Sequence, residues 1–180
     1  TTVSAAAAIG SLPASLFAGE TRLVKYPEKA ELIRLTARPP QLETPLHYFK
    51  QAITPNEALF VRWHLSNIPT SVDLNTWRLR IGGNVTSPLE LTFDEIRNFE
   101  RVTYTAVLQC AGNNRSAFSP RVFGGQWGNG AMGNITWTGA RLKDILNRAG
   151  VKPGSMQISI DGLDGPPVDT VPDFVKSLPM

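Results

Sequence analysis

Alternation of apolar and polar residues predicts four strands along the chain, over 58–65, 77–82, 102–109 and 156–160. Within each strand, successive side chains face opposite sides. The segment 102–109 is rich in β-branched and aromatic residues, and it ends at Cys110. A rigid strand that delivers a reactive side chain into a turn is a common way to build a functional site.

Helical patterns are shorter than the strand patterns. A Thr-x-x-Glu capping box that begins at Thr92 predicts a helix over 93–98. The spacing of apolar residues in 140–149 predicts an amphipathic helix, followed by Gly150 where a left-handed residue is expected. A last helical turn is predicted over 173–178. Because strands and short helices alternate without βαβ regularity, the expected fold class is α+β, a sheet-dominated mixed domain.

The chain divides into three predicted segments. Residues 1–19 are small and apolar without a charge, as in the remnant of an export signal, with Ala8 and Ala18 both suited to cleavage. A flexible Ala-rich terminus is the alternative; export would place the protein in the periplasm. Residues 20–57 are charged and then Pro-rich, which predicts an irregular, extended N-terminal arm. Residues 58–180 are expected to be the front portion of a longer, C-terminally incomplete domain.

Composition narrows the possible functions. The 180 residues carry 18 Lys+Arg against 15 Asp+Glu, a net charge of +3 with no basic run, which argues against a nucleic-acid partner. The first segment is too short and too rich in small residues for a stable membrane span. One cysteine excludes an intrachain disulfide and a cysteine-built zinc site, and two histidines, His47 and His64, argue against a multi-histidine metal site.

Two stretches carry candidate chemistry. If 58–65 is a strand, Arg62 and His64 share one face and Trp63 points away. They could be solvated on an edge strand, or they could bind an anion or a phosphate-bearing cofactor, since burying them unpaired is costly. Cys110 taken alone resembles an ordinary buried small residue, but Arg115 follows it closely across a Gly/Asn turn.

The glycine-rich loop 124–130 does not point to a known nucleotide or hydrolase site. It lacks the GxxxxGK[ST] spacing that cradles nucleotide phosphates. Cys110 and a histidine could form a thiol nucleophile, yet no residue pattern of a cysteine hydrolase accompanies them. The loop is of interest because it contains Trp127.

Taken together, these stretches resemble the sulfite oxidase family of molybdenum enzymes, over roughly residues 45–176. The motifs are Leu-Phe-Val-Arg-Trp-His-Leu at 59–65, Leu-Gln-Cys-Ala-Gly-Asn at 108–113, Trp-Thr-Gly-Ala-Arg-Leu at 137–142 and Gly-Leu-Asp at 162–164. The Arg-Trp-His triplet and the export signal look most like the bacterial periplasmic sulfite dehydrogenases. The resemblance implies the molybdopterin-binding fold of that family.

The resemblance also implies a cofactor site for molybdenum-molybdopterin. Cys110 would be the thiolate ligand of the metal, which suits a metal held mainly by sulfur. Asp164 would accept hydrogen bonds from pterin N–H groups, although without the resemblance it reads as a turn residue. The remaining implied pterin contacts are consecutive in sequence: Phe60, Val61, Arg62, Trp63 and His64.

The implied substrate residues are Arg62, Arg115 and Trp127. Guanidinium groups hold a compact oxyanion such as sulfite bidentately, and a tryptophan supplies a wall and one N–H donor. Asn114 departs from family members that carry a second arginine at that position.

The implied reaction oxidises sulfite to sulfate by oxygen-atom transfer at a molybdenum-pterin centre. Electrons would pass to a cytochrome c, as a separate protein or subunit because the chain has no Cys-x-x-Cys-His haem attachment motif. A homodimer is expected through a C-terminal domain outside this chain. Alternatives are nitrate or sulfoxide reduction with the same cofactor, and a metal-free binding module.

Overall fold

The structure is a computed structural model that describes residues 23–69 and 71–180. Its elements, in chain order, are β1 Leu23–Lys25, β2 Glu31–Ala37, β3 Pro40–Glu43, β4 Val61–Arg62, β5 Leu79–Ile81, β6 Leu89–Leu91, α1 Phe93–Arg97, β7 Arg101–Gln109, β8 Met132–Ala140, α2 Leu142–Ala149, β9 Gln157–Ile160 and β10 Lys176–Pro179. Strands thus dominate the described residues, and the predicted α+β, sheet-dominated class is confirmed. None of the helices among those residues has the length and apolar character to cross a membrane. The predicted export signal at 1–19 lies outside the described residues.

The first four strands form one antiparallel sheet in the order β1-β2-β3-β4. The prediction that 20–57 is irregular is therefore wrong for its described part. Leu32 on β2 and Leu42 on β3 are 0% and 1% exposed and lie in the core. Proline disfavours strand interiors because it lacks an N–H, but here Pro40 only opens β3. The sheet joins residues on both sides of the boundary predicted at residue 57.

The strand predicted over 58–65 is much shorter in the structure. A 3₁₀ helix, Asn56–Ala58, precedes it, and only Val61 and Arg62 pair with β3. His64 lies in a bend. The alternating pattern of 58–65 indicates strand, but the neighbouring strand offers pairing partners over two positions only.

Two further sheets each consist of two antiparallel strands, and Cys110 directly follows a strand of one of them. β5 pairs with β6, and α1 follows with the predicted capping box, in which Thr92 and Glu95 satisfy each other's backbone N–H groups. β7 pairs with β8 along all nine of its residues, from Arg101↔Ala140 to Gln109↔Met132. This confirms the strand that leads to Cys110.

The C-terminal part contains one confirmed helix and one wrong prediction. α2 ends at Gly150 with φ of 69°, the left-handed residue that the sequence predicts. The helical turn predicted over 173–178 is wrong, because β10 pairs antiparallel with β9 there. The β-prone run of Phe174 and Val175 supports the extended form, and β9 supplies the backbone partners that a short isolated helix lacks.

Candidate functional site

The turn after β7 fixes the position of Cys110. Its N–H donates to the carbonyl of Ala131 at 2.9 Å, and its own carbonyl accepts from Asn113 N–H at 2.9 Å. The half-buried Sγ accepts a hydrogen bond from the N–H of Gly112 at 3.4 Å. The hairpin and the turn therefore hold the thiol in one orientation, as a metal ligand requires.

Arg115 lies against the same turn. A Cβ placed on Gly112 would lie 3.0 Å from Cζ of Arg115, so the guanidinium packs directly over that glycine. A Cβ on Gly124, whose φ is 109°, would collide with Nη1 of Arg115. Nη1 also donates to the carbonyl of Gly125 at 3.3 Å. The structure thus brings Cys110 and Arg115 together around Gly112, and the glycine-rich loop is the cradle of the guanidinium.

Asn114 has a conformational role in this turn. Its φ of 65° lies in the left-handed region, which asparagine tolerates better than longer side chains do. Its N–H donates to Gly128 O at 2.6 Å, joining the turn to the glycine-rich loop. This backbone conformation gives a physical reason for an asparagine at position 114.

Trp127 is a packing residue in this structure. Its side chain is 1% exposed, and its ring meets Phe60 edge to face, with centroids 6.1 Å apart and planes at 80°. Nε1 lies beneath the loop, 3.0 Å from the position of a Cβ on Gly125. Its implied role as a wall beside the substrate stays a prediction.

Two residues that sequence reasoning missed join the loop to β3. Gln41 lies opposite Arg62 in the register of β3 and β4. Its buried Oε1 has no hydrogen-bond partner in the described part of the chain and faces Gly125. Glu43 is 6% exposed and accepts a hydrogen bond from Gly128 N–H. Desolvation raises the pKa of Glu43, and that hydrogen bond partly opposes the rise. In the sequence, the only indication that Gln41 and Glu43 act together was their i, i+2 spacing, which places both on one face of a strand.

A second cluster forms around Phe174. The His64 ring stacks on it with centroids 4.2 Å apart and planes at 22°. Cζ of Arg62 lies 5.4 Å and Nζ of Lys176 4.5 Å from the ring centroid. The strand from which a shared face of Arg62 and His64 was predicted ends at Arg62. Both side chains nevertheless contact Phe174, and Val61 and Trp63 are half-buried. Phe174 and Lys176 were missed because their segment was predicted to be helical.

Asp164 reaches this cluster through a short backbone bridge. Gly165 N–H donates to Asn67 O at 3.1 Å, which joins the loop after β9 to the segment after His64. The pKa of His64 is lowered first by desolvation and then by the charges of Arg62 and Lys176, while Asp164 opposes them. The structure thus brings Asp164 close to His64.

The arrangement fits a molybdenum-pterin cofactor. Among residues 23–69 and 71–180, no three or more His, Cys, Asp or Glu side chains are grouped as a metal site. A metal beside Cys110 therefore needs most of its ligands from a non-protein group, and a thiolate suits a metal held by sulfur. The unpartnered Oε1 of Gln41 and the carboxylate of Asp164 are acceptors for ring N–H groups.

Comparison with known proteins identifies the class. Residues 64–180 match the family described as the oxidoreductase molybdopterin binding domain. The chain belongs to this family of molybdenum-molybdopterin oxidoreductases, and the resemblance to sulfite oxidases is confirmed by sequence relatives. Human mitochondrial sulfite oxidase is 37% identical over 147 residues, which cover 79% of this chain and 25% of that protein.

Other relatives broaden the comparison. Rice nitrate reductase [NADH] 1 is 36% identical over 148 residues, covering 76% of this chain and 16% of that protein. Among solved structures, the sulfane dehydrogenase SoxCD of Paracoccus pantotrophus matches with a TM-score of 0.65 and 26% identity, over 99% of this chain and 43% of that chain. With respect to the sulfite oxidases that it matches, the chain spans about a quarter of their length.

Proposed function

We propose that the protein containing this chain oxidises sulfite to sulfate by oxygen-atom transfer. Sulfite and water yield sulfate, two protons and two electrons. The observation that carries the proposal is the half-buried Arg115 guanidinium held beside Cys110 by the glycine-rich loop. This arrangement puts an oxyanion-binding group next to the thiol that is proposed to bind the metal.

The chain's own residues have distinct proposed roles toward the cofactor. Cys110 is the thiolate ligand of molybdenum, with its sulfur oriented by the Gly112 N–H. The pterin contacts come from 60–64 and Asp164, which meet across the Asn67–Gly165 bridge. When bound, the molybdenum-pterin group supplies the two-electron oxygen-atom transfer chemistry.

Arg115 and Arg62 are the proposed substrate residues. A guanidinium has five N–H donors. In Arg115, Nη1 donates to the Gly125 carbonyl. The remaining donors can hold two oxygens of a compact oxyanion. Arg62 is exposed and its guanidinium lies against the ring of Phe174; it is proposed to contact the same anion. Trp127 would close the wall behind the loop.

Electron transfer and location complete the proposal. The electrons are proposed to pass singly to a cytochrome c on a separate protein or subunit. Export to the periplasm, from the composition of 1–19, and a homodimer through a further C-terminal domain are proposed with it.

Nitrate reduction with the same cofactor is the second candidate. Nitrate reductases [NADH] of rice and of Ulva prolifera are 36% and 37% identical to the matched part of the chain, close to the sulfite oxidases. Nitrate is also a small oxyanion, so Arg62 and Arg115 suit both substrates. Reduction of a peptide sulfoxide gains nothing from paired arginines, and a metal-free module has no use for Cys110.

One experiment separates these functions. The full-length protein is purified and its molybdenum content is measured by elemental analysis. Sulfite-dependent reduction of cytochrome c and nitrate-dependent oxidation of a reduced viologen are then assayed on the same sample. About one molybdenum per chain with sulfite turnover supports the proposal. Nitrate turnover without sulfite turnover favours the second candidate, and absence of molybdenum supports the binding module.

A further inference from the structure

Phe174 is the centre of a group of basic side chains. His64 stacks on its ring, Arg62 lies 5.4 Å from the ring centroid and Lys176 lies 4.5 Å from it. Aromatic faces attract cations electrostatically, so the ring gathers two cationic side chains from distant parts of the chain, and the imidazole of His64 stacks on it as well. Neither Phe174 nor Lys176 belongs to the set of residues that the family resemblance implies.

Two backbone attachments hold Phe174 beside Arg62 and His64. Lys176 opens β10 and pairs with Ile160 at the end of β9, which places Phe174 two residues before the strand. The loop after β9 is tied to Asn67 through Gly165. These two attachments bring the segment of Phe174 onto the segment of Arg62 and His64.

The charge of Asp164 opposes those of Arg62 and Lys176 at His64, but no carboxylate in the described residues forms a direct ion pair with either cation. In the parts of the chain that the structure describes, Arg80, Arg97 and Arg141 form ion pairs, whereas Arg62 and Lys176 form none. Both are exposed. Their charges also depress the pKa of His64, as expected for groups that repel one another. Such a cluster lowers its free energy by binding an anion.

We propose that Phe174 is a positioning residue and that Lys176 is a further basic residue of the sulfite-binding site. This inference rests on the proposed function. Phe174 holds the guanidinium of Arg62 and the ammonium of Lys176 near each other, so that one compact oxyanion can contact both. Lys176 adds a point charge to the bidentate donors of Arg62.

Anion binding without turnover tests the grouping. Inorganic sulfate is titrated into cofactor-free full-length protein by calorimetry. Phe174→Leu is expected to weaken binding about tenfold, because two exposed cation–π contacts are lost, and Phe174→Tyr is expected to retain it. Lys176→Gln is expected to weaken binding about fivefold, as the loss of one partly solvated charge. Phe93→Leu is the matched control, because Phe93 carries Arg97 at 5.2 Å on α1, outside the site.

Steady-state kinetics of the holoenzyme supply the second readout. A role in positioning predicts a higher sulfite KM in Phe174→Leu, with kcat changed less than about twofold, and recovery of KM in Phe174→Tyr. If Phe174→Leu fails to fold, Lys176→Gln at its exposed position carries the test.

The outcomes distinguish this inference from the proposed function. Sulfate affinity in Phe174→Leu and Lys176→Gln equal to that of Phe93→Leu overturns the roles of Phe174 and Lys176, even if the wild type oxidises sulfite. No sulfate binding by the wild type overturns them as well. Weakened sulfate binding in both variants, in a protein that does not oxidise sulfite, refutes the proposed function and leaves the anion site standing.

Discussion

The carboxylate of Glu43 accepts a hydrogen bond from the backbone N–H of Gly128, 85 residues further along the chain. This contact ties β3 to the glycine-rich loop that cradles Arg115. Glu43 is 6% exposed, so its carboxylate is held largely away from water, where the Gly128 N–H donates to it. β3, which lies in the segment predicted to be an irregular arm, therefore supports the candidate site.

Replacing Glu43 by Gln is expected to change how stability depends on pH. Burial raises the folded-state pKa of Glu43, so between the unfolded and folded pKa values the folded state binds more protons. The free energy of unfolding therefore falls as pH rises through that window. Glu43→Gln should lack this fall. At pH values above the window it should be more stable than the wild type by about 1 kcal/mol, since its amide oxygen can still accept from Gly128.

Urea unfolding of the full-length protein from about pH 4 to pH 9, starting near the ordinary Glu pKa, measures the Glu43 effect. Glu31→Gln, at an exposed position on β2, is the matched control. Identical pH dependence of the wild type and Glu43→Gln would contradict the assignment.

The pKa of His64 should respond in opposite directions to two neighbouring substitutions. Lys176→Gln removes a positive charge that lowers this pKa, so the pKa should rise; Asp164→Asn removes the opposing negative charge, so it should fall. An NMR titration of histidine-labelled protein measures both. Shifts of the same sign would show that the cluster is arranged differently.

Gly124→Ala is expected to destabilise the loop by about 1–3 kcal/mol. The new methyl group would collide with the Arg115 guanidinium, and the φ of 109° is unfavourable for any residue with a Cβ. Sulfite KM should rise as well, because Arg115 is displaced. Gly139→Ala is the matched control, since nothing lies within 4 Å of its Cβ position. It should change the free energy of unfolding by less than about 0.5 kcal/mol. Equal effects of the two substitutions on unfolding would disprove the packing argument.

Cys110→Ser should abolish sulfite oxidation and leave the fold intact. A serine Oγ can still accept from Gly112 N–H, which Sγ accepts at 3.4 Å, so the free energy of unfolding should change by less than about 1 kcal/mol. A hydroxyl is a poorer ligand than a thiolate for a metal held by sulfur. Cytochrome c reduction, molybdenum content and urea unfolding are measured together. Undiminished turnover would refute the ligand assignment.

Local sequence patterns determined the elements whose stabilising contacts are close in the chain. The capping box at Thr92, the left-handed Gly150 and the alternation through Gln109 each depend on residues within one turn or one strand. The motif around Cys110 likewise lies on consecutive residues. For these features, the residues that make the contacts are visible in a short window of sequence.

Tertiary structure alone decided the elements and contacts that depend on distant partners. β3 becomes a strand because β2 and β4 pair with it, and β10 because β9 does, against a local pattern that suggested an arm and a helix. Glu43 reaches Gly128, and Phe174 reaches Arg62 and His64, across more than 80 residues. The sequence determined which chemical groups this protein carries. Long-range strand pairing decided which of these groups meet. Backbone hydrogen bonds join N–H and carbonyl groups that nearly every residue carries, so residue types alone do not show which distant segments will pair.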